Sequence, residues 1–322
     1  MLLLHDDIIK ADTAPNVALM KMRLYLDTKE PKLVKFLQSF WDKQQRVITY
    51  KEIREAILAG VLTQEMMDSW QQDYSKFVVD YVAPLWIDAM EAANKPIYRN
   101  GLVWKFRADQ DGIKKWTDTQ AARFVTNCTQ EQILAMRHVI QQSTQMHNMN
   151  VDTLSHVIRP MIGLDYRQAA ANMNYFNTMI ESGLSEKKAI DRCVRYSARQ
   201  NRYRAYRISR TELSFAYNQG SYYGTKQAQQ AGFLGHTVKQ WCTADDERVC
   251  SICGPMDGKE IEMDDDFTYE KKDKAGNTQT VRINPRLKSK VIGKVPPAHP
   301  HCRCTVLYIE KDPIIFEQEN EG

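Results

Sequence analysis

The sequence has no hydrophobic run that approaches the ~20 residues needed for a membrane-spanning helix. It also has no internal repeat and no low-complexity segment. The opening residues, Met1-Leu-Leu-Leu-His5, lack a basic region, and their apolar run is too short for a secretory signal. We therefore expect a reducing environment, in which cysteines stay as thiols and do not form disulfides.

The composition is ordinary for a soluble globular protein, with 43% hydrophobic and 26% charged residues and a net charge of +4. A chain of 322 residues has room for two domains, or for one large domain with an appendage. We predict a mainly α protein whose long helices are followed by a small α+β module. The predicted divisions are a helical region of unassigned role (1–160), a long-helix region (161–235), a Cys/His module (236–310) and an acidic tail (311–322).

Helical periodicity is strong in the first half of the chain. Two segments, Thr49–Glu52 and Thr129–Gln132, fit a capping box, in which the end residues satisfy free backbone N–H groups. Apolar side chains recur at helical spacing in two stripes, which predicts buried helix faces. The stripes comprise Leu33, Phe36, Leu37, Phe40 and Trp41, and then Trp70, Tyr74, Phe77, Val78 and Tyr81. Residues 98–106 read as a short strand or an extended loop.

The second half combines long helices with short strands. Asp165 is placed to cap a helix after the Pro160–Gly163 break, and a Gly-Leu-Ser turn at 183–185 interrupts the helical pattern, with a further interruption considered at Gly220. Strands are predicted at 236–241 and 303–309. The acidic and basic stretches between them (257–297) read as a long hairpin or a mobile loop. The acidic tail from Glu310 onward is expected to fray.

Between Arg192 and Arg210 there are seven arginines, no lysine and no acid. Six of them fall on one face of a helix, within an arc of about 140°, and extend over roughly 27 Å. The opposite face is predicted to be apolar and buried. The arginines of this stripe are Arg192, Arg195, Arg199, Arg202, Arg207 and Arg210; the apolar residues are Ile190, Val194, Ala198, Ala205 and Ile208.

The planar guanidinium fork binds phosphate or carboxylate through two hydrogen bonds. The stripe therefore favours nucleic acid, bound through its phosphate backbone without sequence preference. Two alternatives stay open, an acidic surface on a partner protein and a face whose charges are solvated or paired within the fold.

Two short clusters hold four of the seven cysteines and two of the seven histidines. Cys250-Ser-Ile-Cys253 is followed by a second cluster, His299-Pro-His301-Cys302-Arg-Cys304. A CxxC turn offers two sulfurs to one metal ion, and a second turn completes the four N/S ligands of structural zinc. We therefore predict that zinc staples the small α+β module together. A redox dithiol and plain buried thiols remain as alternatives.

The assignment of zinc ligands is open within this set. Cys250 and Cys253 form the clearest pair, His299 and Cys302 are the expected second pair, and Cys304 or His301 is a possible substitute. The other cysteines, Cys128, Cys193 and Cys242, are predicted to be buried thiols.

Four stretches in residues 155–308 resemble the phage Mu F-like head-morphogenesis family of minor head proteins. They are Ile162–Asp165 leading into a helix, Arg207–Glu212, Lys239–Gly258 with its WxTxxDxRVCxxC pattern, and Pro296–Cys304 with PPxHPxCRC. The resemblance implies a non-enzymatic virion component of a tailed phage, inside the capsid near the portal, which is present in the host cytoplasm during assembly. It implies the portal protein, other head proteins and packaged DNA as partners.

Glu212 falls among apolar positions of its helix, and a buried carboxylate requires a partner. We expect it to pair with Arg248 or Arg303 in a structural latch that also uses Arg210, Trp241 and Asp245. A metal-dependent nuclease or other DNA-processing enzyme is the alternative function, with Asp245, Asp246, His299 and His301 as its candidate groups. A closed set of sulfur and nitrogen ligands argues against it, because hydrolytic zinc needs an open position for water.

Overall fold

The computed structural model describes residues 15–70, 73–146, 149–244, 246–269, 271–272, 278–279 and 291–314. These residues form two compact units, each assembled from separate stretches of the chain. Unit 1 takes the described residues within Met1–Glu30, Leu85–Lys115 and Arg210–Gly322; unit 2 takes Pro31–Pro84 and Trp116–Ser209. The domain boundaries predicted from the sequence stay predictions. No helix among the described residues is both long and apolar enough to cross a membrane.

Helices dominate the described chain, as predicted. A π-helical turn, Val78–Val82, joins α4 to α5, and a 3₁₀ turn, Arg159–Met161, follows α7. The α-helices are α1 (Pro15–Val47), α2 (Tyr50–Ala59), α3 (Gln64–Trp70), α4 (Tyr74–Phe77), α5 (Ala83–Ala92), α6 (Asp111–Thr144), α7 (Val151–Ile158), α8 (Tyr166–Glu181) and α9 (Glu186–Gln230).

Local sequence signals explain several of these helix ends. Thr49 and Glu52 form the predicted capping box at the start of α2, and Asp165 forms another with Gln168 at the start of α8. The predicted box at Thr129–Gln132 is wrong, because these residues lie inside the continuous helix α6. The Gly-Leu-Ser turn separates α8 from α9 as expected, whereas Gly220 lies within α9 and interrupts nothing.

Unit 2 is built around an apolar core to which α2, α3, α6, α7, α8 and α9 contribute. The stripe predicted in α1 supplies buried side chains at Leu33, Leu37 and Trp41. Its other aromatic residues stack in a cluster, with Phe40 against Tyr74 and Phe77. Cys128 and Cys193 are buried, as predicted, and burial raises the pKa of the Cys193 thiol to about 12.

Unit 1 contains the C-terminal half of α9 and the small sheets. Residues predicted as a strand or loop form a hairpin of β1 (Ile97–Arg99) and β2 (Leu102–Trp104). The main sheet has the order β4-β3-β9 and is antiparallel throughout, with β3 (His236–Cys242), β4 (Glu260–Glu262) and β9 (Thr305–Asp312). Cys242 is buried in β3, which raises the pKa of its thiol to about 12.

Strand β9 extends further than the sequence indicates. The sequence predicts a frayed tail from Glu310, whereas β9 continues to Asp312. The reason is that Glu310 binds two groups of unit 1: it accepts a hydrogen bond of 2.7 Å from Arg99 and one of 2.6 Å from the Gly235 amide. The rest of the predicted tail, from residue 315, lies outside the described residues.

The described residues between β4 and β9 include two pairs of short strands, and the rest of the predicted hairpin or loop, at 270, 273–277 and 280–290, lies outside the described residues. β5 (Phe267–Thr268) pairs with β8 (Val291–Gly293), and β6 (Lys271–Lys272) pairs with β7 (Thr278–Gln279), both antiparallel. Buried Lys239 fixes the start of this segment, because its ammonium donates to the carbonyl oxygens of Met263 (2.8 Å) and Asp265 (2.7 Å). Burial lowers the pKa of Lys239 to about 8.

Candidate metal centre and arginine surface

The two Cys/His clusters lie on turns that meet beside the main sheet of unit 1. The first turn runs from the end of β3 into a 3₁₀ turn at Gly254–Met256, and the amide of Gly254 closes it on the Cys250 carbonyl at 3.0 Å. The second turn precedes β9 and is closed by the Cys302 amide on the His299 carbonyl at 3.1 Å. Residues far apart in the sequence are thereby brought into one cluster.

Five side chains form two overlapping groups of potential metal ligands. Cys253 belongs to both groups, and within each group every ligand atom lies within 4.8 Å of the others. Cys253 Sγ is 3.8 Å from Cys302 Sγ, close to the ~3.8 Å edge of a tetrahedron with zinc–sulfur bonds of about 2.3 Å. The groups are Cys250, Cys253 and His299, and Cys253, Cys302 and Cys304.

His299 presents one nitrogen to the sulfurs. Its Nε2 lies 3.1 Å from Cys250 Sγ and 3.3 Å from Cys253 Sγ. Its Nδ1 lies 2.8 Å from the carbonyl oxygen of Pro300, to which it donates. A ligating histidine commonly has its second nitrogen held in this way, which leaves the lone pair of the first directed at the metal.

The thiols of the cluster differ in their pKa values. Hydrogen bonds from the Cys253 and Cys304 thiols hold the pKa of buried Cys302 well below its usual range. Sharing a proton with Cys302 raises the pKa of Cys253. Burial opposes ionisation of Cys250, yet the amides of Cys253 and Ile252 lower its pKa overall. Thiolate is the form that binds metals, so a cation would relieve the crowding of four sulfurs.

Trp241 provides a further observation that fits a metal-bound thiolate. The indole is fully buried, and its Nε1 has no hydrogen-bond partner among the described residues. Trp241 pairs with Val306 across β3 and β9, so Cys304, two residues earlier, lies on the same face. The hydrogen bond with Cys253 lowers the pKa of Cys304, but Cys302 and burial raise it overall. The residues present therefore fit a tetrahedral metal ion.

His301 lies outside both ligand groups of the described cluster. Its backbone adopts a positive φ of 62°, and its amide donates to Thr211 Oγ1 at 3.2 Å. The turn thus places His301 differently from its neighbours His299 and Cys302. Its role as a substitute ligand stays a prediction.

Asp246 connects the surroundings of the two turns. Arg303 donates to both of its carboxylate oxygens at 2.6 Å, and Arg248 contacts it at 3.2 Å. The Arg303 guanidinium holds the pKa of Asp246 well below its usual range. The two arginines considered as partners for Glu212 thus both bind Asp246. Asp245 lies outside the described residues.

Other parts of the predicted latch are also placed differently. Arg210 binds Glu30, at 2.5 Å between Nε and Oε1, and lies 3.7 Å from Asp27. Glu30 is buried, and sequence reasoning missed it because it lies 180 residues away. Glu212 is half-buried on the same helix. Its role in a latch stays a prediction.

Four arginines of the predicted stripe form an exposed surface on α9, which we call the arginine surface: Arg192, Arg195, Arg199 and Arg202. They occupy an arc of about 80° and span about 15 Å. Among the described residues, no carboxylate lies within ion-pair distance of any of the four. Tyr203 and Tyr206 are exposed on the same side of the helix.

The other two stripe residues do not belong to this surface, which corrects the prediction of six outward arginines. Arg207 binds Asp165 at 2.7 Å, and Arg210 binds Glu30. Burial opposes ionisation of Asp165, but the Gln168 amide and Arg207 lower its pKa overall. The acids that neutralise these arginines come from distant segments, so the local sequence looks uncompensated.

The buried face of α9 is also different from the predicted one. Val194 is 41% exposed, and Ala198 is exposed as well. Up to residue 205, the buried positions of α9 instead follow mostly i, i+4 spacing and are small or polar, and α8 supplies hydrogen-bond partners such as Asn172 for Ser197 at 2.9 Å. They are Ala189, Cys193, Ser197, Asn201, Arg204 and Ala205. In the sequence, the recurrence of small side chains at i, i+4 spacing was the signal that could have identified this buried face.

Arg204 is the seventh arginine and is completely buried. It donates to the carbonyl oxygen of Gly163, binds Glu131 at 3.0 Å, and lies 5.2 Å from the ring centre of Trp41. Gly163 has a φ of +93°, and a Cβ there would meet Trp41 at 2.7 Å. Glycine is thus required where this carbonyl turns toward Arg204.

The fold and the sites define a mainly helical protein with a small sheet module, in which two turns beside the sheet meet at a Cys/His cluster. Residues 173–307 match the family described as Phage Mu protein F like protein. The resemblance seen in the sequence is thereby confirmed over this segment, which contains both the Cys/His cluster and the arginine surface. No curated protein and no solved structure matches the chain.

Proposed function

We propose that this protein is a minor head protein of a tailed bacteriophage. It acts in head assembly near the portal, inside the capsid, and is present in the host cytoplasm while heads assemble. The family match supports a role in head morphogenesis and a place in the virion. Its partners in this proposal are the portal protein and other head proteins, and its role is non-enzymatic.

The proposed ligand of the arginine surface is double-stranded DNA. The observation that carries this is that none of Arg192, Arg195, Arg199 and Arg202 has a carboxylate within ion-pair distance in the described chain, combined with their shared exposure. Four guanidinium groups can neutralise up to about four phosphates, which gives a slope near −3.6 for log K against log salt. Such binding follows the phosphate backbone and ignores base sequence.

Fluorescence anisotropy with a labelled duplex, over a range of salt concentrations, tests this ligand. Changing Arg195, Arg199 and Arg202 to Glu is expected to lower affinity more than tenfold and to flatten the salt dependence. The matched control is Lys35, Lys43 and Arg46 changed to Glu, three exposed cations of α1 with the same total charge change. An equal loss of DNA affinity in both variants would refute the proposal that the arginine surface binds DNA. An unchanged DNA affinity together with binding to an acidic protein would favour the alternative partner.

The Cys/His cluster is proposed to hold a structural zinc ion through four of Cys250, Cys253, His299, Cys302 and Cys304. The ion would supply folding free energy by linking the two turns. Metal analysis of the purified protein is expected to find about one zinc per chain. Changing Cys253, shared by both ligand groups, to Ser should abolish it, while Cys242→Ser should not. A folded, metal-free wild type would contradict this proposal.

Within the described part of the chain, no observation favours the nuclease alternative. Asp246 is bonded on both oxygens by Arg303, and His299 directs Nε2 at sulfur atoms. We therefore expect no cleavage of plasmid DNA with magnesium, manganese or zinc. Cross-linking mass spectrometry of purified heads is expected to join the protein to the portal, and its absence from purified virions would contradict the assembly role.

A further inference from the structure

One ion pair joins the two turns that carry the potential metal ligands. Arg303 stands between Cys302 and Cys304 in the sequence, and Asp246 precedes the Cys250 turn. Each terminal nitrogen of Arg303 lies 2.6 Å from a different oxygen of Asp246. This two-point contact fixes distance and orientation together, which a single contact cannot do.

Asp246 also shapes the backbone of its own turn. Its Oδ1 accepts a hydrogen bond of 3.0 Å from the Arg248 amide, and its carbonyl accepts one of 3.1 Å from the Val249 amide. The turn then leads directly to Cys250. A carboxylate that organises one turn is thereby bonded to a side chain that stands between two ligands of the other.

We infer that Asp246 and Arg303 are positioning residues that hold the two ligand turns together and slow the release of the metal. The inference rests on the proposed metal centre. Loss of a metal bound between two turns requires at least one turn to withdraw, and the pair opposes that movement. Residues around metal ligands typically change metal affinity by 10- to 100-fold when replaced.

Arg248 provides a matched control at the same carboxylate. It makes one side-chain contact of 3.2 Å and is 69% exposed, whereas Arg303 makes two contacts and is 27% exposed. Arg248 also lies on the same turn as Asp246, so it does not join the two turns. Its replacement should leave the turns together.

The test uses the full chain loaded with zinc, and follows transfer of zinc to a coloured chelator. Arg303→Met and Asp246→Asn are expected to release zinc about 10- to 100-fold faster than wild type. Arg303→Lys should be intermediate, because it retains charge but loses the fork. Arg248→Met should stay within about threefold. With Co²⁺ in place of zinc, the thiolate absorption bands of the Met and Asn variants should shift or weaken.

Release rates for Arg303→Met and Asp246→Asn equal to that of Arg248→Met would overturn the inference while leaving the metal centre intact. A folded wild type that binds neither zinc nor Co²⁺ would instead defeat the proposed metal centre and this inference with it. If Arg303→Met does not fold, the zinc release rates of Asp246→Asn and Arg303→Lys test the inference, since both substitutions preserve the approximate size of the side chain.

Discussion

Replacing Arg204 by Met should strongly destabilise unit 2, whereas replacing the exposed Arg202 on the same helix should have little effect on stability. Arg204 is the fully buried guanidinium that contacts Gly163, Glu131 and Trp41. Methionine has a similar length but no charge. The substitution therefore tests the polar contacts of Arg204 and largely retains its packing.

The magnitude follows from three contacts. The hydrogen bond from a charged donor to the Gly163 carbonyl contributes about 1.5–3 kcal/mol. The cation–π contact with Trp41 adds about 0.5–2 kcal/mol. Glu131 is 30% exposed, so water can solvate its carboxylate when Arg204 is removed. The ion pair with Glu131 therefore contributes at most about 1 kcal/mol. The expected loss is about 3–5 kcal/mol, as for other broken buried pairs.

Arg202→Met is the matched control, two residues away and exposed. It should change the free energy of unfolding by no more than about 0.5 kcal/mol. Urea unfolding gives the two free energies, and hydrogen exchange shows whether the loss falls on α8 and the first half of α9. DNA affinity should respond in the opposite order, falling for Arg202→Met alone. A cost below about 1 kcal/mol for Arg204→Met would refute this account.

Three further predictions concern other contacts. Lys239→Met should cost about 2–4 kcal/mol, because two buried carbonyl groups lose a charged donor; Lys226→Met, which removes a salt bridge to exposed Asp264, should cost under ~1 kcal/mol in the same thermal unfolding assay. The pKa of Asp165 is lower in the folded state, so its carboxylate contributes to the free energy of unfolding above the unfolded pKa of about 3.9, and this contribution is lost as the pH falls through the folded pKa. Asp165→Asn should therefore make the free energy of unfolding less dependent on pH over that acid range. An unchanged pH dependence would contradict this prediction. Gly220→Ala should lower the melting temperature, because the added Cβ would lie 2.3 Å from the Met90 backbone. An increase in the melting temperature would show that α5 and α9 can move apart without loss of stability.

Most signals that act over three or four residues were readable from the sequence. The capping box at Thr49 and the N-cap at Asp165 use residues that bond their own helix start, and the Gly-Leu-Ser turn ends α8 within the same few residues. The box predicted at Thr129–Gln132 failed, because the same residue pattern also fits the interior of a long helix. The Cys/His turns are local in the same sense. Their spacing predicts two ligand turns, whereas their meeting depends on the pairing of β3 with β9.

Contacts between distant segments were not readable. Arg210 and Glu30 are 180 positions apart, and Arg207 and Asp165 are 42 apart. Helical periodicity assigns an arginine to a face but cannot show which acid meets it. The buried face of α9 was misplaced for a related reason: Ser197 and Asn201 are buried because partners in other segments satisfy their polar groups.

Helix α9 therefore carries two kinds of arginine, and the distinction bears on how the charge of the chain is interpreted. A net charge of +4 over 322 residues is low for a DNA-binding protein. The field at a surface, however, depends on nearby charges and not on the total. Acids from other segments neutralise Arg204, Arg207 and Arg210, while the arginine surface keeps its four charges within about 15 Å, comparable with two Debye lengths at physiological salt. A phosphate backbone approaching that surface meets a local excess of positive charge that the overall composition conceals.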